Sequence, residues 1–280
     1  MRILKRVAIG LGAIVLLALV VLYGASEWAI RRTHEADLVQ VSVPKDAASI
    51  AEGARIAKIE GCRGCHGDDA AGSVWNDPPW FVATIAPPGL ARKVASYSDA
   101  ELGRLIRHGI RKDGTSLFIM PTVAHRNIAD DDLGKLIAWI RTLRPAPKDV
   151  TRDTGFGPLG RVMLLSGQVP PSYQIGTVAP KQRPADLGRY YYDAVCSECH
   201  ALDEPRPAPD GSGTAPALAP VAASYDPIAF RTLLHTGVAM GNRKLGLMSV
   251  VAKENFVALS DAEIVAIQDY LKREAAKQAK

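Results

Sequence analysis

Two short cysteine motifs constrain this chain more than any other feature of its sequence. The segment at 60–67 reads "EGCRGCHG", the segment at 194–201 reads "AVCSECHA", and both contain the pattern C-x-x-C-H. In chain order, the residues of the two motifs are Cys62, Cys65, His66, Cys196, Cys199 and His200. The 280 residues contain four cysteines, all of them in these motifs. Any fold for this chain must therefore place each pair of thiols beside an imidazole.

The spacing of the cysteines excludes several common uses of thiols. A disulfide framework is typical of short secreted domains, and a thioredoxin-like C-x-x-C pair requires a surrounding βαβ pattern that this sequence lacks. A zinc ribbon would place its second pair about 15–20 residues after the first, whereas Cys65 and Cys196 are 131 residues apart. The remaining interpretation is haem c, whose vinyl groups bond to both sulfurs while the adjacent histidine binds the iron. The two motifs thus predict two covalently bound haem c groups.

A haem iron with a proximal histidine has one further axial position, which a methionine thioether fills in many electron-transfer cytochromes. Met120, in "DGTSLFIMPTVAH", lies in a Gly-containing loop between two helical patterns. A lone methionine often fills a gap in an apolar core, but the place of Met120 in this loop favours iron ligation. His125, five residues later, remains an alternative ligand. We therefore predict His66 and Met120 as axial ligands of the first iron, and His200 as the proximal ligand of the second.

Three segments around the first motif have the apolar spacing of helices. The segment "SIAEGARIAKIEG" precedes the motif, with Ser49 as the expected N-cap. The segment "SDAELGRLIRHGI" begins with Ser98 and Glu101 in the positions of a capping box. The segment "ADDDLGKLIAWIRTL" begins with acidic residues, which favour a helix N-terminus. Because no convincing strand interrupts this order, the sequence predicts an all-α fold.

These residues resemble the class I cytochrome c family. In that family the N- and C-terminal helices cross where a small residue meets an aromatic one, and Gly53 and Trp139 are similar to that pair. The resemblance also implies that a proline carbonyl accepts a hydrogen bond from the proximal histidine, which orients the ring. In "TIAPPGL", either Pro87 or Pro88 could supply that carbonyl.

The same order of segments recurs in the second half of the chain. The segment "APPGLARKVASYSD" is echoed by "APALAPVAASYDP", and "RLIRHGI" is echoed by "TLLHTGV". Tyr97 and Tyr225 are 128 residues apart, and His108 and His235 are 127 apart. We therefore expect two tandem class I cytochrome c-like helical domains after an N-terminal transmembrane helix. The expected boundaries are 1–32 for the membrane anchor, 45–145 for the first domain, 146–184 for a Pro- and Gly-rich linker, and 185–276 for the second domain.

Two methionines compete for the second iron, and the repeat distinguishes them. Met248 follows Tyr225 by 23 residues, which is also the separation between Tyr97 and Met120, whereas Met240 follows Tyr225 by 15. We therefore predict Met248 as the ligand and Met240 as a packing residue near the haem edge.

The first thirty residues contain an uncharged run, 7–26, which is long enough to cross about 30 Å of hydrocarbon. We expect it to remain as a single-pass anchor in the bacterial inner membrane, although a cleaved signal peptide is the alternative. Attachment of haem to C-x-x-C-H takes place outside the cytoplasm in the family, so the resemblance implies that the soluble part is periplasmic.

The part of the chain after the N-terminal apolar run is nearly neutral, although the isoelectric point of the whole chain is about 9.0. After residue 30 the chain has 31 Lys and Arg against 28 Asp and Glu, a net charge of only +3. No basic cluster with interleaved aromatic residues is present in the sequence. Nucleic acid is therefore not an expected partner.

Two irons with both axial positions filled would leave none open for a substrate, so we expect an electron carrier and not an enzyme. The chain resembles the membrane-anchored dihaem cytochromes c that serve periplasmic dehydrogenases. That resemblance implies electron transfer from a dehydrogenase subunit or a quinol-oxidising complex to a downstream cytochrome or terminal oxidase. The alternatives are a dihaem peroxidase-type enzyme and a haem-based gas sensor. A thiosulfate-oxidising enzyme would need a cysteine as axial ligand, and no cysteine is spare.

Overall fold

The computed structural model describes residues 1–174, 181–208, 211 and 213–278. Residues 175–180 of the expected linker lie outside the described residues. About 53% of the residues are helical, and each strand in the described ranges is two residues long. The prediction of a mainly helical fold is therefore confirmed.

The helices and strands have the following bounds. In chain order, the α-helices are α1 (Arg2–Arg31), α2 (Ala47–Ile59), α3 (Cys62–His66), α4 (Leu90–Lys93), α5 (Asp99–His108), α6 (Thr122–His125), α7 (Asp130–Thr142), α8 (Pro158–Leu165), α9 (Leu187–Ala194), α10 (Leu218–Ala223), α11 (Pro227–Thr236), α12 (Leu247–Glu254) and α13 (Asp261–Gln278). Single 3-10 turns are Cys196–Glu198 and Phe256–Ala258. The strands are β1 (Ala83–Thr84), β2 (Gly155–Phe156), β3 (Arg206–Pro207), β4 (Thr214–Ala215), β5 (Val238–Ala239) and β6 (Arg243–Lys244), paired antiparallel as β1–β2, β3–β4 and β5–β6.

Of the two N-caps predicted for α5 and α2, the structure has the first and not the second. As expected, Ser98 is the N-cap of α5, and it forms both hydrogen bonds of a capping box with Glu101. The expectation of Ser49 as the N-cap of α2 is wrong, because the helix begins two residues earlier, at Ala47. The Asp46 carboxylate caps it by accepting a hydrogen bond from the backbone N–H of Ser49 at 2.9 Å.

Helices α2 and α7 cross at Gly53 and enclose the first hydrophobic core. A Cβ built on Gly53 would lie 2.0 Å from the Lys135 carbonyl oxygen and 3.1 Å from the Trp139 Cβ. Only a glycine therefore permits this approach. Large side chains of this core that are almost fully buried are Leu102, Leu133, Leu136 and Ile137.

Helices α9 and α13 form the corresponding crossing in the second half of the chain. A Cβ on Gly188 would lie 2.0 Å from the Ala266 carbonyl oxygen and 2.6 Å from the Tyr270 Cβ. A second hydrophobic core surrounds this crossing and includes the fully buried Leu271. The sequence reading did not identify this Gly–Tyr pair, although its position beside the second motif follows from the repeat.

Partly buried ion pairs join the linker to the first domain and the first domain to the second half of the chain. Arg183 donates to the Asp132 carboxylate at 2.5 Å and to the Glu52 carboxylate at 2.7 Å. Arg55, on α2, donates twice to the Glu263 carboxylate of α13, at 2.9 Å each. Although burial opposes ionisation of Glu263, hydrogen bonds from Arg55 and its other partners hold its pKa at about 2. The ion pair between Arg55 and Glu263 thus connects a helix of the first half with a helix of the second.

The linker folds back onto the N-terminal helix. Strand β2 of the linker pairs with β1, and α8 then packs against the C-terminal end of α1. The apolar "LGRVMLL" segment of the linker thus lies in α8 and has α1 as one neighbour. Helix α1 is long and apolar enough to cross a membrane, and its most apolar stretch is not buried by the rest of the described chain.

Candidate haem sites

The first C-x-x-C-H motif follows directly from the end of α2. The chain turns at Gly61, whose φ of +76° lies in the left-handed region, and then forms the short helix α3 from Cys62 to His66. This turn brings both cysteines and the histidine onto one helical turn. The Ser73 hydroxyl donates to the Cys65 carbonyl at 2.7 Å, which holds the following loop against the motif.

The ring of His66 is oriented by a backbone carbonyl. Its Nδ1 lies 2.8 Å from the carbonyl oxygen of Pro88, which makes Nδ1 the protonated donor and leaves the lone pair of Nε2 available to a metal. Burial lowers the pKa of His66 below its usual value. A neutral imidazole with a fixed tautomer fits a haem iron ligand. Of the two prolines considered from the sequence, Pro88 makes this contact.

The second motif repeats this geometry. Residues Cys196–Glu198 form a 3-10 turn, and the Nδ1 of His200 lies 2.9 Å from the carbonyl oxygen of Pro216. Pro216 follows Pro88 by 128 residues, the same separation as between Tyr97 and Tyr225. The sequence reading did not identify Pro216, although the repeat contained the signal for it.

The four cysteines are partly buried and are not joined to one another. Burial raises the pKa of the Cys62 thiol to about 12. The pKa of Cys196 is also raised to about 12, again chiefly by burial. Thiols in such surroundings are poor sources of thiolate, so reactive redox chemistry does not suit them. Their placement beside an oriented imidazole fits thioether attachment of haem.

The candidate sixth ligands lie at the starts of two short helices. Met120 is partly buried against the first core, two residues before α6, and Met248 is partly buried against the second core, in the first turn of α12. Met248 therefore belongs to a helix, whereas Met120 precedes one. Met240 lies in the turn between β5 and β6 with 37% of its surface exposed. Its packing near the haem edge stays a prediction.

The remaining histidines near the sites bond to backbone carbonyls. The Nε2 of His125 lies 3.2 Å from the Glu60 carbonyl oxygen, and burial lowers its pKa to about 4. The choice of Met120 over His125 as the ligand of the first iron stays a prediction. His108 contacts the Gln174 carbonyl at 2.8 Å, and His235 contacts the Leu259 carbonyl at 3.1 Å.

The two motifs lie at the contact between the two cores. The Glu198 carboxylate, inside the second motif, accepts a hydrogen bond from the backbone N–H of Ala124 at 3.0 Å. Asn127 donates to the Asp193 carbonyl at 2.8 Å, just before the second motif. Asn255, which is 128 residues after Asn127, lies beside Gly61 at the first motif, where its Nδ2 would be 3.1 Å from an added Cβ. Each half therefore contacts the motif of the other through an equivalent asparagine.

Comparisons with known proteins find similarity to cytochromes. Residues 48–140 match the family described as "Cytochrome C oxidase, cbb3-type, subunit III". The chain is 27% identical over 268 residues to the fructose dehydrogenase cytochrome subunit of Gluconobacter japonicus, covering 82% of this chain and 53% of that protein. It is 27% identical over 175 residues to the alcohol dehydrogenase (quinone) cytochrome c subunit of Gluconacetobacter polyoxogenes, covering 58% and 37%. It is 24% identical over 268 residues to the gluconate 2-dehydrogenase cytochrome c subunit of Pantoea cypripedii, covering 83% and 61%.

Residues 48–140 thus match a cytochrome family, and the oriented histidines of the two motifs fit covalently bound haem c. More particularly, the chain is similar to cytochrome c subunits of dehydrogenases, which confirms the resemblance expected from the sequence. It spans about half the length of the curated relatives it matches. Their printed names are those of cytochrome subunits, in agreement with the expectation of an electron carrier.

Proposed function

We propose that this chain is a dihaem electron carrier with one haem c in each of two domains, 45–145 and 185–276. The observation that carries this proposal is the recurrence of the oriented histidine, with Pro88 and Pro216 in equivalent positions 128 residues apart. The proposed covalent attachment residues are Cys62, Cys65, Cys196 and Cys199. The proposed axial ligands are His66, Met120, His200 and Met248.

Haem c supplies reversible one-electron chemistry, and the residues of the chain adjust it. Each proline carbonyl fixes the tautomer of its histidine and makes the free nitrogen more basic. A methionine thioether favours the reduced iron and therefore raises the potential. The buried aromatic side chains Trp139 and Tyr192 keep water away from the core beside each motif.

The contact between the two halves supports electron transfer within one chain. The reciprocal asparagine contacts and the Arg55–Glu263 ion pair support a fixed separation of the two motifs. A fixed separation avoids the reorganisation that two freely tethered domains would need at each transfer. With haem c bound at both motifs, this fixed arrangement would suit one-electron transfer within the chain.

The names of the relatives support a dehydrogenase as one redox partner. Electrons would enter from a dehydrogenase subunit or a quinol-oxidising complex and leave to a downstream cytochrome or terminal oxidase. Helix α1 would anchor the chain in the bacterial inner membrane, with the soluble part in the periplasm. The acceptor and the direction of transfer are parts of this proposal that a reconstituted complex can measure.

Counting the haems tests the proposal. The denatured protein should retain two haem groups after acid-acetone extraction, and Cys65→Ser and Cys199→Ser should each remove one. A potentiometric titration should show two one-electron transitions. The reduced native protein should bind no carbon monoxide and turn over no peroxide. One haem per chain would refute the dihaem proposal, while carbon monoxide binding would favour the gas sensor and peroxide turnover the peroxidase.

A further inference from the structure

Helix α8 of the linker is attached to the end of the anchor helix by one arginine. The guanidinium carbon of Arg161 lies 4.3 Å from the centre of the Tyr23 ring. The same guanidinium donates to the Ser26 hydroxyl at 2.6 Å and to the Glu27 carboxylate at 2.7 Å. Ser26 is fully buried, on a helix whose other residues are mostly exposed. The contact between α8 and α1 is therefore specific and includes a neutralised charge.

The position of this contact along α1 determines how deep α8 would lie in a membrane. Tyr23 and Ser26 belong to the last turn of the uncharged run 7–26, and Glu27 is the first charge after it. In a bilayer crossed by α1, this turn would lie where the hydrocarbon meets the headgroups. Helix α8 packs against that turn, so it would lie at the same boundary.

The outer face of α8 is apolar. Leu159, Val162 and Leu165 recur every three residues and are 46%, 47% and 44% exposed. The opposite face is fixed, because a Cβ on Gly160 would lie 1.9 Å from the Val82 carbonyl oxygen and Leu164 is buried. The helix cannot rotate to hide its three exposed side chains without losing these contacts.

Two aromatic residues extend this apolar surface. Trp80 is 76% exposed and Phe81 is 43% exposed. Their backbone adjoins α8, since the N–H of Leu159 donates to the Phe81 carbonyl at 2.9 Å. Tryptophan is enriched at the boundary between membrane and water, and contiguous exposed apolar surface marks an interaction site.

We propose that α8, together with Trp80 and Phe81, is a membrane-docking surface that enters the boundary region of the bilayer crossed by α1. The inference rests on the proposed role of α1 as a membrane anchor. A short amphipathic helix with an apolar outer face is suited to lie in the plane of this boundary. The loop with Trp80 runs from the first haem motif to Pro88. Docking of α8 would therefore seat the first haem domain on the membrane surface.

Single cysteines in the full-length protein test this surface, because haem attachment would consume the four native thiols. Leu159→Cys and Leu165→Cys would be compared with Ile228→Cys, which is 69% exposed on α11. Leu16→Cys would report insertion of α1 itself. The proteins would be reconstituted in vesicles of phosphatidylethanolamine with phosphatidylglycerol as the minor lipid. The rate of alkylation by a membrane-impermeant maleimide would be measured by mass spectrometry. Each rate would be divided by the rate for the same cysteine in the denatured protein.

We expect Leu159→Cys and Leu165→Cys to react about tenfold more slowly than Ile228→Cys, since side chains at this boundary are withdrawn from water. Leu16→Cys should be protected still further. Protection of position 16 with full reactivity at 159 and 165 would overturn the docking surface alone. Full reactivity at position 16 would overturn the anchor and the docking surface together. Positions 159 and 165 could instead be protected only at a high ratio of protein to lipid. That result would mean that a second copy of the chain covers the surface, and it would also overturn the proposal.

Discussion

Replacing Gly53 by alanine should separate helices α2 and α7 and so destabilise the first core. The added Cβ would lie 2.0 Å from the Lys135 carbonyl oxygen, and 2.6 Å from its carbonyl carbon. A separation below 3.0 Å is essentially never seen for a real Cβ, so one helix must move by about 1 Å in a close-packed interior. Because both clashing atoms belong to the backbone, no side-chain rotation can relieve the contact.

The expected cost combines two opposing effects. Overpacking a core typically costs about 1–3 kcal/mol, whereas alanine gains about 0.5–1 kcal/mol over glycine within a helix. Gly53→Ala should therefore lower the free energy of unfolding by about 1–2 kcal/mol, which corresponds to about 4–15 °C in Tm for a domain of this size. Gly188→Ala should cost a similar amount, because its Cβ would lie 2.0 Å from the Ala266 carbonyl oxygen.

Thermal unfolding followed by far-ultraviolet circular dichroism would measure both variants. Gly155→Ala is the matched control, since a Cβ there meets nothing within 4 Å. The two losses should add, because the crossings share no residue. If Gly53→Ala unfolds at the same temperature as the control, then α2 and α7 do not cross at this residue and the reasoning is wrong.

Three further predictions concern the second iron, pH and the interface. Met248→Ala should open the second haem to carbon monoxide and lower its potential, whereas Met240→Ala, at an exposed side chain, should do neither; the reverse pattern would reassign the ligand. Burial lowers the pKa of His125 from about 6.5 to about 4, so the protein should lose up to about 3 kcal/mol of stability as pH falls between these values. His125→Gln should show a shallower pH dependence in urea titrations, and an equal slope would contradict this. Arg183→Met should cost up to about 3 kcal/mol, because it leaves the buried carboxylate of Asp132 with Lys135 as its remaining cation. Arg231→Met, which breaks an exposed pair, should cost about 0–1 kcal/mol, and equal losses in chemical denaturation would argue against the buried network.

The haem motifs and the main helices could be predicted because their signals are local. A C-x-x-C-H pattern needs only the reach of one turn, and helical periodicity is visible within four residues. The capping box at Ser98 was located for the same reason. The N-cap of α2 was misplaced, because Asp46 and Ser49 are both good caps and only the backbone conformation distinguishes them.

The choice of Pro88 over Pro87 depended on the path of the loop, which neighbouring residues alone do not specify. The histidine contact of Pro216 could have been found from the repeat, since its separation from Pro88 equals that of the paired tyrosines. The role of Met248 stays a prediction that the described packing favours.

By itself, the sequence determined the cofactor chemistry, the mainly helical fold and the apolar N-terminal helix, because each depends on residues close together in the chain. Only the tertiary structure decided how the two halves meet. Arg55 of the first half and Glu263 of the second are 208 residues apart. An ion pair between such distant residues leaves no periodic pattern, because it forms only after both cores have folded and docked. The contact of Arg161 with Glu27 at the end of α1 likewise joins residues 134 positions apart, so no local pattern predicts it.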